Sequence, residues 1–508
     1  MPAIQDLFGV GMSKGTILLS IAAGSALLYT VAKIFYNLFL HPLRHIPGPL
    51  LSRATSLPYA MRHAGGTQAF RTQKMHDTYG PVVRIAPNHL AFTDVRAWKD
   101  IYGHLVGHKS GQPEMGKAST FTRSLDDIPT SILNADREEH ARVRRALSHG
   151  FSDASMRAQE PMVAKHVDLL LQRLARECDG GNKPLNSEAW YNWTTFDIAG
   201  DLIFGKSFGC LEGSDYHPWI AFIFATVKWG SSMVVLDYLG FHWLVQLIFR
   251  HAGQLKVKKM QEYNFAMVRS RLDMKEGRED LFEGLVKHTD DWNLSFEKLS
   301  ANAFILVLAG SETTATTLSG VTYLLLSHPE VLEKLNREVR SAFQSADEID
   351  ISSVGKLTYM LAVLNEALRM YPPVTSGLVR QVPEGGAQVA GQYVPGGTFV
   401  EVQHWSINHS KDNWADPWAF HPERFIHHEG KPEAHNVLEA LQAFSVGPRN
   451  CIGRNLAYAE MRLILARIVF DFDMRLADDS RNWVERQKAY TLWDRVPLNV
   501  YFTPAQRG

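Results

Sequence analysis

Ten residues, Phe444 to Gly453 (FSVGPRNCIG), constrain the fold of this chain more than any other segment, because they set one cysteine in a turn that opens onto a long apolar helix. Gly447 and Pro448 suit the turn, and Gly453 permits close approach of backbone. The pattern predicts a helix from about Arg454 to Phe472, whose first free N–H groups point back toward the Cys451 sulfur. Those donors, the positive end of the helix dipole and nearby Arg449 all favour a negative sulfur, and a bound metal would complete its deprotonation. At average residue frequencies Phe444, Gly447, Arg449, Cys451 and Gly453 would coincide by chance about once per several million starting positions. An isolated cysteine is most often a buried structural thiol; the spacing around Cys451 points instead to a metal ligand.

Three further segments carry chemistry. Ser295 to Ser327 reads as one long helix, with Ser295 as its cap and Pro329 opening the next helix. At 1.5 Å per residue it spans roughly 50 Å. Its centre, Ala309-Gly310-Ser311-Glu312-Thr313-Thr314, places small, acidic and hydroxylic residues inside an apolar run. Small side chains there leave room for a flat cofactor, and Glu312 with Thr313 could hold water and pass protons; the plain alternative is a solvated kink. Thr358 to Met370 reads as a helix stopped by Pro372 and Pro373, with Glu366 and Arg369 on one face. Taken alone that pair is a surface salt bridge worth about 0–1 kcal/mol. Ala135 to Ser152 is a strongly basic helix that alone would read as a solvated face.

Together these motifs resemble the cytochrome P-450 superfamily, over nearly the whole chain after the first fifty residues. The resemblance implies that Cys451 is the axial thiolate of a haem b iron, a role general haem chemistry assigns to that superfamily and that spacing alone does not supply. It implies that Glu312 and Thr313 are the acid–alcohol pair of an oxygen-activating helix. Arg144, Arg380 and Arg449 match positions that bind the haem propionates, and guanidinium forks suit carboxylates. His140 stands where many relatives carry Trp, and Phe444 opens the haem loop. Glu366, Arg369 and Arg424 of Pro422–Phe425 match a buried structural cluster beneath that loop, where removing one partner typically costs about 3–5 kcal/mol. Phe121, Ile305, Ala309, Val374, Leu378 and Leu492 match substrate-facing positions, though core packing explains any one of them equally well. Leu202 to Glu212 (LIFGKSFGCLE) and the helix after Cys451 are similar to filamentous-fungal members near the isotrichodermin C-15 hydroxylase group, which tailor secondary metabolites. The implied activity is insertion of one oxygen atom from O2 into an apolar small molecule. A haem-thiolate isomerase or dehydratase needing no external electrons, and a non-catalytic haem-binding membrane protein, are the rival readings; the retained Glu312–Thr313 pair argues against the first.

The rest of the sequence sets the frame. With 508 residues and 45% hydrophobic content the chain can bury a large core. Helical periodicity dominates from about Arg137 to Phe343, and Tyr79 to Phe92 and Val389 to Val402 read as hairpins. The expected fold class is therefore mainly α with a small β-sheet region (α+β), and the resemblance makes it a cytochrome P-450 fold with an N-terminal transmembrane helix. Fifty-three acidic and fifty-three basic residues cancel, so nothing in the overall charge argues for a nucleic-acid partner. Cys178, Cys210 and Cys451 cannot form a disulfide framework or a four-thiolate site, which fits a reducing compartment.

Residues 1–14 read as an N-terminal tail, 15–40 as a transmembrane anchor, 41–50 as a proline-rich hinge and 51–508 as the haem-binding catalytic domain. A cleaved signal peptide is the rival, but no small-residue cleavage site follows the apolar run. Lys33, Arg44 and Arg53 outweigh Lys14, which favours a single pass with a cytosolic catalytic domain; by resemblance the membrane is the endoplasmic reticulum. The sequons at Asn192, Asn293 and Asn408 would then escape glycosylation. Gly9, Gly11 and Gly15 follow no strand and are not a dinucleotide loop, and His104 with His108 lacks a third ligand. With no flavin or NADPH module visible, electrons are expected from a separate partner; the resemblance implies a membrane-bound NADPH-dependent cytochrome reductase, with Arg142, Arg145 and Arg454 as contacts near Cys451.

Overall fold

The computed structural model describes residues 14–105, 114–118, 129–248, 250, 254–274, 278, 280–288, 294–426 and 435–506. The helices that matter here are α1 (Lys14–Phe35), α2 (Leu50–Ala54), α3 (Leu57–Ala64), α4 (Arg137–Ser148), α5 (Asp153–Glu177), α6 (Ser187–Phe204), α7 (Pro218–Tyr238), α8 (Phe296–Ser327), α9 (Pro329–Ala342), α10 (Thr358–Met370) and α11 (Arg454–Asp471). Local chemistry sets their ends. Asp136 caps α4 by accepting from the Glu139 N–H at 2.8 Å, and Ser295 caps α8 by accepting from the Lys298 N–H at 3.3 Å. Pro329 occupies the first turn of α9, where its missing N–H costs nothing.

α8 runs through the centre of the molecule, and α6 packs along it with nearly every residue buried. The seam between them is partly polar and satisfied: the Tyr191 and Thr322 hydroxyls lie 2.8 Å apart, and Ser311 Oγ donates to the Thr195 carbonyl at 3.1 Å. Gly320 admits the Tyr371 ring so closely that a Cβ would stand 2.4 Å from it. α8 is apolar and long enough to cross a membrane, yet most of it is buried in protein, so it is a core helix. α1 and the turn after it differ: Lys14–Leu40, 27 residues long, is shorter and more apolar, and its span-length window is not buried at all.

One five-stranded sheet takes the strands β1 (Val82–Ala86), β2 (His89–Phe92), β3 (Gly116–Lys117), β4 (Arg380–Gln381) and β5 (Phe399–Val402) in the order β1-β2-β5-β4-β3. Only β2 and β5 run parallel. The expected hairpin at Tyr79–Phe92 is β1–β2. The hairpin expected across Val389–Val402 is corrected: Ala387–Val389 pairs with Gln392–Val394, and β5 leaves for the main sheet. Two successive positive-φ residues, Ala390 and Gly391, close that tight turn, and Gly397 at φ +79° redirects the chain a few residues later.

Candidate active site

The loop before α11 is folded around its cysteine. Ser445 and Gly447 both have positive φ, and at Gly447 a Cβ would stand 1.9 Å from the Tyr102 carbonyl oxygen, so only glycine fits. The Asn450 N–H donates to the Gly447 carbonyl at 3.1 Å and the Cys451 N–H to the Phe444 carbonyl at 2.9 Å, closing two turns that end at the sulfur. Cys451 is exposed, but to a cavity of about 260 Å³ that it lines with Phe444 and, from α8, Ala309, Gly310, Thr313 and Thr314. Burial pushes the Cys451 thiol above its ordinary value, against the Gly453 N–H and Arg144, which pull it down. Burial thus opposes the helix start at the sulfur, and a coordinated cation would favour the thiolate.

The basic residues meet at one side of the cavity. Arg449 donates to Glu114 Oε1 at 2.8 Å and to the Ala135 carbonyl at 3.1 Å; Arg380 is buried, with its guanidinium 5.2 Å from the Tyr102 ring centre. Lys117, on β3, donates to the Leu133 carbonyl and is pulled down to about 7 by burial and by the charges of Arg449 and Arg380. Burial, then Arg449, Lys117 and Arg144, take His140 down to about 4. Among the described residues, Arg449 and Arg380 both face Glu114, which leaves a buried surplus of positive charge. A ligand bearing two carboxylates, as haem does, answers that surplus, and the residues present fit it. Arg144 donates instead to the Asn450 carbonyl at 2.6 Å and to its Oδ1 at 2.5 Å, holding the cysteine loop.

The structural cluster is assembled as the spacing and resemblance imply. Arg369 donates to both Glu366 oxygens at 2.7 and 2.8 Å, and Arg424 donates to Glu366 Oε1 at 3.0 Å. All three are buried, and the spare guanidinium donors go to carbonyls of Asn408, Pro417 and Ala415 and to Asn436 Oδ1.

The acid–alcohol pair is split. Thr313 faces the thiol cavity and donates to the Ala309 carbonyl at 2.7 Å. Glu312 faces a second cavity, of about 310 Å³, and both its oxygens accept from Arg495 Nη2 at 2.8 Å. Burial pushes the Glu312 carboxyl up to about 7, with Arg495 pulling against it. Of the positions matched to substrate contact, Ala309, Val374 and Leu378 line the thiol cavity, Leu492 lines the second one, Ile305 is half-buried on α8 and lines neither, and Phe121 lies outside the described residues. Sequence reasoning missed Arg495, Glu188, Glu114 and Lys117. It also passed over Glu460, a buried acid hydrogen-bonded to Thr314 and pushed up to about 8 by burial. A lone carboxylate on the buried face of α11 was the available signal.

A largely helical fold that sets one thiol across a cavity from a helix of small and hydroxylic residues defines a thiolate-ligated cofactor enzyme. The family model for cytochrome P-450 matches residues 51–499. The chain is 46% identical over 482 residues to cytochrome P-450 monooxygenase tpeC of Talaromyces stipitatus, covering 94% of this chain and 93% of that one. It is 43% identical to the trichothecene C-15 hydroxylase of Fusarium sporotrichioides (96% and 98% covered) and 42% identical to the averantin hydroxylase of Dothistroma septosporum (99% and 95%). The chain belongs to the cytochrome P-450 family and is a monooxygenase with a haem-thiolate iron cofactor.

Proposed function

We propose that this monooxygenase is held in the endoplasmic reticulum membrane by α1, with its catalytic domain in the cytosol, and oxidises an apolar intermediate of fungal secondary metabolism. The observation that carries the reading is the thiol cavity, where Cys451, Ala309, Gly310 and Thr313 share the lining with Leu202, Leu306, Val374 and Leu378, which make much of the wall apolar. Such a wall rewards an apolar substrate with about 25 cal/mol per Å² buried.

Haem b, held by Cys451 and by Arg380, Arg449, Lys117 and His140, would supply oxygen binding and the electron-rich thiolate that favours O–O cleavage. The chain's own residues handle position and protons. Ala309 and Gly310 keep side-chain bulk away from the space above the sulfur. Thr313 holds a hydroxyl proton at the cavity edge. Glu312, with a carboxyl that titrates at about 7, is suited to pick up a proton at neutral pH and give it up again; reaching Thr313 requires its side chain to leave Arg495. Electrons come from an NADPH-dependent reductase, for which Arg142, Arg145 and Arg454 stand exposed on the face near Cys451.

The test is turnover by the haem-loaded protein with NADPH, reductase and labelled O2, using as substrate the compound that accumulates when the coding sequence is deleted. One labelled oxygen in the product is the expected result. Conversion without NADPH would favour the isomerase or dehydratase reading instead.

A further inference from the structure

Between α10 and β4 the chain runs from Tyr371 to Val379 outside any helix or strand, yet Val374 and Leu378 of this stretch line the thiol cavity. No ladder of backbone bonds fixes such a segment, so its polar groups must find partners elsewhere. The Thr375 N–H donates to the Thr491 carbonyl at 3.2 Å, the Thr375 carbonyl accepts from the Trp405 N–H at 3.1 Å, and the Val379 carbonyl accepts from the Ala118 N–H at 3.2 Å.

The peptide between Ser376 and Gly377 is different, because side chains hold both of its ends. His404 Nδ1 lies 2.9 Å from the Ser376 carbonyl, and since a carbonyl only accepts, Nδ1 carries the proton. At the other end, the Gly377 N–H meets the Glu401 carboxyl. Both side chains are buried, Glu401 at the third position of β5 and His404 just beyond its end. The fit is tight: at Gly377 a Cβ would stand 2.4 Å from Glu401 Oε2 and 2.8 Å from the Val402 carbonyl oxygen, so only glycine passes.

The two side chains are themselves anchored. Glu401 Oε1 accepts from Gln403 Nε2 at 2.7 Å and lies 3.4 Å from His89 Nε2 on β2. The His404 ring makes an edge contact with Trp98, 5.1 Å between centres, and a backbone bond joins it to Gln442, two residues before Phe444 opens the cysteine loop. His404 also lines the cavity, whereas Glu401 lies outside its lining. Whatever Glu401 does to a bound molecule, it does through Gly377.

We propose that Glu401 and His404 are positioning residues for the oxidation: by holding one peptide at both ends they set where Val374 and Leu378 stand relative to Cys451, and so which carbon of the substrate is presented. In a mainly apolar chamber orientation comes from the shape of the wall, and a displacement of about 1 Å can change a rate by about a hundredfold. This rests on the reading of the thiol cavity as an apolar substrate chamber.

The test uses the full-length, haem-loaded protein with NADPH, reductase and tetralin, an apolar probe with two kinds of oxidisable carbon. The readouts are the ratio of 1- to 2-hydroxylated product and the iron-to-proton distances of bound tetralin from paramagnetic relaxation. Glu401→Leu should change that ratio by about fivefold or more and move the distances, while the absorption band of the reduced, carbon-monoxide-bound haem stays in place. Burial pushes the Glu401 carboxyl up to about 7, so the neutral acid is well populated near neutral pH and an amide is a fair stand-in. Glu401→Gln keeps an acceptor for the Gly377 N–H and should therefore return the ratio to within about twofold of wild type. His404→Leu should also shift the ratio, and the double Leu variant no further than the larger single one, since both release the same peptide. Additive shifts would overturn the part given to His404. Lost haem or a lower overall rate with an unchanged ratio is what a merely structural role gives, and would overturn the proposal. Should Glu401→Leu retain no haem, Gly377→Ala decides: its methyl group pushes against Glu401 and should shift the ratio, and a wild-type ratio there would sink the clamp. If tetralin leaves the wild-type haem spectrum unchanged, the reading of the chamber as an apolar substrate site falls, and the clamp with it.

Discussion

The two cavities that α8 lines differ in chemistry. One is walled mainly by apolar and small residues around a single thiol, with Arg449 and Glu460 among them; the other sets Glu188, Glu312, Asp494 and Arg495 among aromatic and aliphatic side chains. Adjacent residues on a helix point about 100° apart, so Glu312 and Thr313 are neighbours in the chain and belong to different compartments. The contrast shows how one helix can give its small and hydroxylic residues to a mainly apolar chamber while holding a titratable acid, Glu312, in the neighbouring one. Arg495 makes this possible. It pairs with Glu312 at 2.8 Å and lies 3.5 Å from Glu188, so its own charge keeps a partner if Glu312 swings away.

The largest effect is expected on the thiol side. Cys451→Ala should abolish the shifted absorption band of the reduced, carbon-monoxide-bound haem, together with all oxygen insertion. If the band survives, the first cavity is not the haem site and the comparison fails. On the charged side, Arg495→Leu leaves Glu312 buried without its cation, which should cost about 3–5 kcal/mol of stability, read by chemical denaturation. A loss under about 1 kcal/mol would mean that water already solvates the second cavity and that the two chambers differ less than their linings indicate.

Thr313→Ala separates proton handling from folding. It should keep the absorption band, lose about 1 kcal/mol or less of stability for one hydrogen bond, and release peroxide in place of product. Glu312 is expected to act through pH. Its folded carboxyl titrates at about 7 against 4.5 as a model compound, so the native state holds the extra proton between those values. Its contribution to stability is thus fully present below about pH 4.5 and is lost as pH rises through 7. Glu312→Gln should flatten that decline in a series of unfolding curves; an unchanged pH profile would show that Arg495 keeps the acid ionised throughout. The smallest effect belongs to the outer face, which touches neither chamber. Arg142→Glu should leave spectrum and stability alone and slow reductase-supported reduction by a few-fold at low salt, with the difference fading as salt is added.

Legibility in the sequence followed distance along the chain. The Cys451 loop lies within ten residues, and Glu366 with Arg369 within one helical turn, so their spacing is itself the geometry. The same holds for the Ser295 cap and for the stop before Pro372. Val389–Val402 was misread because its turn residues serve two different turns, one closing a hairpin and one sending β5 to pair with β2. Arg495 reaches Glu312 across 183 positions and Arg449 reaches Glu114 across 335, and no periodicity links such pairs. Leu492 looked like part of the thiol cavity for the same reason: its place depends on how the chain after α11 returns across the core.

By itself the sequence determined the elements and the chemistry within them: helix lengths, caps, the glycine-dependent cysteine turn, and an apolar N-terminal segment long enough for a bilayer. These follow from backbone sterics and short-range hydrogen bonding, which act over a few residues. Tertiary structure alone decided which cavity each side chain enters, and that Glu312 is tied to Arg495 while Thr313 faces the thiol. Those outcomes depend on burying charges against partners far away in the chain, and the energy of a buried charge is settled only when the whole core has closed around it.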